Sequence, residues 1–139
     1  MPWWTWALLS ALAASATAIF AKVGLDGVPS HLATALRTVV VLAFAWGIAV
    51  GTGEYAALPG LRARPLLFLT LSGIGTGVSW LAYFRALQLA PASRVAPIDK
   101  LSLALTVTLA ALVLGETIPW KVGLGAALMV AGALLTLAG

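Results

Sequence analysis

Asp99 and Lys100 stand side by side near the start of an apolar run, Ser93–Glu116, with Pro97 just before them and Gly115-Glu116 at its close. The whole chain holds only four acids, eight basic residues, one histidine and no cysteine, so any chemistry concentrates here. A charge at mid-span of a membrane helix costs about 2.5–3.5 kcal/mol on insertion scales. Asp99 follows Arg94 by five residues, which places it about 7.5 Å further in at 1.5 Å per residue. Two readings stand. In one, Asp99 is a substrate- or proton-linked carboxylate facing a polar cavity. In the other, Pro97 starts the helix, and Asp99 sits in its first turn, where it complements the positive dipole end. Lys100 then snorkels outward. Either way Pro97 is expected to break or loosen the helix and expose backbone groups that a ligand can use.

Arg37 is the second candidate, with Thr34 and Thr38 beside it. Its alternatives are pairing with Asp99 or Asp26, binding an anionic substrate, or snorkelling to the surface. The third candidate is a face. Ser72, Thr76, Ser79 and Tyr83 recur at spacings of four, three and four, which is one side of a helix. Trp80 flanks it. Such a stripe either lines a cavity for a small amphipathic molecule or returns its hydroxyls to the i−4 carbonyls. Asp99, Ser102 and Thr106 share a further face. Glu116 reads as a structural, headgroup-level acid near Lys121.

No enzyme pattern is present: no G-x-S-x-G, no Walker A loop and no metal-ligand spacing. His31 alone builds no metal site. The chain is therefore expected to be no enzyme and to need no cofactor.

Those residues sit in a matrix of hydrocarbon. Hydrophobic residues make up 62% and charged ones 9%, against about 25% charged in a soluble domain. Apolar runs of about 20 residues imply helices that cross a bilayer. They do not alternate, which argues against a barrel. Five can be drawn, at about 3–21, 31–50, 66–89, 93–114 and 119–138. The interval Gly51–Pro65 reads as a headgroup-level loop. The N-terminal run carries no Lys or Arg before it and is too long for a signal core, so it reads as a span and not as a cleaved leader. The net charge of +4 meets lipid headgroups, and nucleic acid is set aside. The expected fold is an all-α integral membrane bundle of five helices in one domain, 1–139.

Trp3, Trp4 and Trp6 open the first span and Trp120 opens the fifth, as an interfacial belt requires. Gly73 with Gly77 and Gly123 with Ala127 allow close helix approach, within one bundle or at a dimer seam. Arg62, Arg64 and Lys121 fall on one side of the membrane. Lys22, Arg85 and Arg94 fall on the other, joined by Arg37 if it is counted. That near balance barely favours either orientation, and two oppositely inserted copies would form an inverted pair.

Tyr83–Thr136 carries a set of local patterns: Ala86-Leu87 with Ala90, the Ala/Pro-rich stretch before the fourth span, Leu114-Gly115-Glu116, and glycines spaced as G-x6-G-x-x-L ending at Leu135. Together with Trp6–Leu12 and Ala21-Lys22, these resemble the EamA module of the drug/metabolite transporter superfamily. The resemblance implies one half of a ten-helix inverted-repeat fold. It implies secondary transport, an exporter of small metabolites, amino acids or drug-like compounds at the inner membrane. In that family the first, third and fourth helices line the cavity, which favours Trp80, Tyr83 and Asp99 as lining residues. A single module implies a homo-oligomer, including an antiparallel dual-topology dimer, or a paralogue. The alternative is a non-transporting membrane subunit or scaffold partner. A small multidrug-type exporter is disfavoured, since the first span lacks an acid. The expected substrate-binding set is Asp99, Lys100, Trp80, Tyr83, Thr76, Ser79 and Arg37, with Pro97 as the helix break and Gly115 and Glu116 structural.

Overall fold

The computed structural model describes residues 2–138. Met1 and Gly139, the two ends of the expected 1–139 domain, lie outside the described residues. Every regular element among those described is a helix: α1 Trp3–Gly24, α2 Ser30–Gly51, a 3-10 helix Glu54–Gly60, α3 Ala63–Leu89, α4 Ala92–Asp99, α5 Leu101–Leu114 and α6 Trp120–Ala138. Five stretches are long and apolar enough to span a membrane, with α4 and α5 together forming one of them, Ala92–Leu114. Helices follow from the solvent. Lipid offers no hydrogen bonds, so each span satisfies its own backbone.

The expected boundaries shift by a few residues. α1 runs three residues past Ala21, with the Leu25 N–H still donating to the Ala21 carbonyl at 3.0 Å, and the turn that follows holds Gly27 in the left-handed region, at φ +67°. Pro29 then caps α2 through its carbonyl, which accepts from Ala33 N–H at 2.9 Å. The Gly51–Pro65 interval is not a plain loop. Gly53, at φ +77°, turns the chain out of α2 and into the 3-10 helix, which packs back on α2. Pro59 lies inside that helix, and its fixed φ suits the 3-10 geometry. Tyr55 and Leu58 are exposed, as befits a segment that meets headgroups.

The fourth span departs most from expectation. α4 starts at Ala92, five residues before Pro97, with the Pro91 carbonyl accepting from Arg94 and Val95 N–H at 3.0 and 3.1 Å. Pro97 therefore does not start the helix, and Asp99 is the last residue of α4, not part of a first turn. The dipole reading of Asp99 is withdrawn on that ground. Pro97 itself stays inside α4, and the interruption comes at Lys100. The Lys100 N–H divides between the Ala96 and Pro97 carbonyls, both at 3.2 Å. The helix tightens there because Pro97 has no N–H to give the Ser93 carbonyl.

The described residues form two compact units, Phe20–Gln88 and 2–19 with 89–138. In the first, burial gathers at one end: Leu25, Ser30, Thr34, Phe84 and Leu87. In the second, α6 packs on α4 and α5, with Val95 and Ala133 buried. Elsewhere long aliphatic and aromatic side chains stand outward, including Val40, Phe44, Leu112 and Leu128. In a bilayer these are the lipid-facing surface.

Candidate functional site

The best-built place in Phe20–Gln88 is where α1 ends, α2 begins and α3 ends. Its origin is a proline. The Leu87 carbonyl belongs to the last turn of α3, and its helical partner four residues on is Pro91, which has no N–H. Lys22 supplies the missing donor. Its ammonium, on the last turn of α1, donates to the Leu87 carbonyl. A cation at a helix C-terminus also meets the negative end of the dipole. Beside it, Gln88 Nε2 donates to the Val28 carbonyl at 2.8 Å, and Arg85 Nη1 donates to Gln88 Oε1 at 3.1 Å. Leu87 is fully buried and Phe84 nearly so. The α1–α2 turn is thereby fastened to the end of α3.

Against this clamp lies Arg37. It sits seven residues after Ser30, about 10 Å along α2 at 1.5 Å per residue. Its guanidinium carbon stands 4.1 Å from the Trp80 ring centroid and 5.4 Å from that of Phe84. Of the alternatives for Arg37, pairing with Asp26 does not occur: no ion pair joins them. The aromatic faces hold it instead. A desolvated cation–π contact contributes about 2 kcal/mol, against about 2.5–3.5 kcal/mol to place arginine at mid-helix in a bilayer. The rings thus offset much of the insertion cost and leave the charge itself unneutralised.

The rest of the polar stripe is mixed. Trp80 and Tyr83 are half-buried, and Tyr83 packs edge-on to Phe84 with centroids 6.5 Å apart. Thr76 and Ser79 are exposed, and the Thr76 hydroxyl donates to the Ser72 carbonyl at 3.0 Å. In α2, Thr34 and Thr38 likewise return to the Ser30 and Thr34 carbonyls, at 2.9 and 2.8 Å. These hydroxyl protons are already used.

Asp99 and Lys100 belong to the other unit. They pair with each other at 3.0 Å across the α4–α5 interruption. The Ser102 hydroxyl takes the Asp99 carbonyl at 2.8 Å, and Thr106 takes that of Ser102 at the same distance. The interruption thus keeps its backbone satisfied through a side chain. Further on, Gly115 ends α5 at φ +69°. This left-handed residue lets the Glu116 N–H turn back to the Ala110 carbonyl at 3.2 Å. Among the described residues no group of three or more His, Cys, Asp or Glu is placed to hold a metal ion.

The structure brings Arg37 and Trp80 together, pairs Asp99 with Lys100, and keeps Thr76, Ser79 and Tyr83 on α3. Gln88 and Arg85, at the end of the polar stripe of α3, join the clamp, whereas Phe84 does not stand out in the sequence and Lys22 does so only as the charge that ends the first span. A signal for Lys22 was there, since a proline four residues after Leu87 leaves a carbonyl in need of a donor. Phe84 carried none, because a phenylalanine does not stand out in an apolar helix.

The profile of the EamA-like transporter family matches residues 1–138. A protein named "Uncharacterized transporter in cobO 3'region", from Sinorhizobium sp, is 50% identical over 133 residues, covering 96% of this chain and 94% of that one. That relative is thus of single-module size as well. No solved structure matches the chain. With a family profile spanning almost every residue and five membrane-length helices beneath it, the chain belongs to the EamA-like transporter family.

Proposed function

We propose that this membrane transporter is a secondary exporter of small metabolites, amino acids or drug-like compounds across the inner membrane, working as an oligomer. One observation carries the reading. A charged group, Arg37, is kept inside an apolar span and held on the face of Trp80, in a chain of a transporter family. Ionisable residues within membrane spans are expensive and by default mark substrate or ion pathways. Trp80, Tyr83, Thr76 and Ser79 supply an aromatic and weakly polar wall for an amphipathic molecule. Asp99 is the one acid of the α4–α5 span. We assign it the substrate- or proton-linked role, with Lys100 as its resting counter-ion. The oligomer is supported by size: five helices enclose little volume, and the relative, 94% of which this chain covers, is about one module long too.

The test is export from proteoliposomes loaded with a defined mixture of amino acids and small amphipathic drugs under an imposed proton gradient, with the retained compounds measured by mass spectrometry. The wild type is expected to lose at least one compound faster than protein-free vesicles, and Asp99→Asn to abolish that loss. Asp99→Asn keeps the side-chain volume and removes only the charge, and helix content by circular dichroism and monodisperse elution of the variant are measured to show that folding survives. A wild type that exports nothing from the mixture in either orientation of the gradient overturns the transporter reading. Unimpaired export by Asp99→Asn removes Asp99 from it.

A further inference from the structure

A cation–π contact uses none of a guanidinium's hydrogen-bonding capacity, so five N–H donors remain after it forms. Arg37 shows this state. It stands over Trp80 and Phe84. Among the described residues of Phe20–Gln88, neither Asp26 nor Glu54 pairs with it, and no carbonyl accepts from it. The rings fix the position of the cation without cancelling its charge. Thr34 and Thr38, its neighbours on α2, give their hydroxyl protons to their own helix, so they do not add donors for a neutral polyol. What completes such a site carries negative charge and acceptors that match a planar fork, which is the geometry of a carboxylate or phosphate. The indole and phenyl groups beside it favour hydrocarbon next to that anion.

We propose that Arg37, seated on Trp80 and Phe84, binds the oxyanion of an amphipathic acid. This deepens the transporter reading and rests on it where the acid is the transported compound. An anionic lipid headgroup offers the same chemistry, and the two sources separate by experiment.

The protein in phosphatidylcholine nanodiscs is titrated calorimetrically with N-acetyl-leucine and with its neutral amide. In parallel, native mass spectrometry counts phosphatidylglycerol retained from mixed micelles. The wild type is expected to bind the carboxylate and not the amide, and Arg37→Gln to weaken that binding about 10-fold or more, the loss of one charged hydrogen bond. If Arg37→Gln does not elute as a folded species, Arg37→Lys replaces it. That variant keeps the charge but loses the fork, and a weakening of about 3-fold or more is expected. Phosphatidylglycerol held by the wild type and lost from the variant, without N-acetyl-leucine binding, places a headgroup in the site. The proposal is overturned if the wild type binds neither anion, or if a folded variant binds both as the wild type does. None of these readouts measures transport, so a wild type that exports from proteoliposomes yet binds neither anion refutes the oxyanion site and leaves the transporter reading intact.

Discussion

Lys22→Met tests the clamp at the end of α3. Methionine keeps an unbranched apolar stem of similar length and deletes the ammonium. The Leu87 carbonyl then loses its donor, and Pro91 cannot replace it. A hydrogen bond from a charged group contributes about 1.5–3 kcal/mol, and a cation at a helix C-terminus adds about 0.3–1 kcal/mol. Lys22 is half-buried, so some of this is offset by the desolvation that methionine avoids. The expected loss is therefore about 1.5–3 kcal/mol. It is read as the shift in the midpoint of unfolding by sodium dodecyl sulfate in mixed micelles, followed by circular dichroism. Lys22→Arg, which keeps a donor and the charge, should recover most of it. A loss below about 0.5 kcal/mol, within the range of an ordinary surface substitution, refutes the idea that the proline-orphaned carbonyl needs the lysine.

Three further outcomes follow from the geometry. Gly115→Ala should destabilise by about 1–2 kcal/mol in the same titration: a Cβ there meets nothing within 4 Å, so the cost is that of the left-handed backbone alone, and a much larger loss would point to a clash. A double-mutant cycle of Arg37→Gln and Trp80→Leu should show coupling of about 0.5–2 kcal/mol; additive effects would mean the ring contributes nothing to holding the cation. C-terminal tags probed for accessibility in intact and lysed cells should appear on both sides of the membrane, since Lys and Arg are near balance across it, and a single-sided result removes the dual-topology dimer.

The number and place of the spans were legible because lipid forces the backbone into helices and hydropathy marks them. Errors fell where chain geometry, not solvent, decides. Pro97 looked like a helix start, but Pro91 had already begun α4, and the irregularity moved to Lys100. The 3-10 helix Glu54–Gly60 was hidden in a stretch whose Gly and Pro content reads as loop. For the site, the residue types of Arg37 and Trp80 were readable, but their union was not: 43 positions separate them (80 − 37), and periodicity reports faces along one helix only. The hydroxyl stripes were readable as faces, though not whether their protons point away from the helix or back into it.

That last detail bears on motion. Thr70 and Thr76 in α3, Thr34 and Thr38 in α2, and Thr106 and Thr108 in α5 all donate to carbonyls of their own helix. A helix that carries its protons internally can rotate or slide against lipid without breaking any of these bonds. Within Phe20–Gln88, the bonds from Lys22 to Leu87 and from Gln88 to Val28 instead tie separate elements together, and both lie at one end. Any sliding or rotation of α1, α2 or α3 against one another must break or carry these two bonds, so relative movement is most restrained at that end.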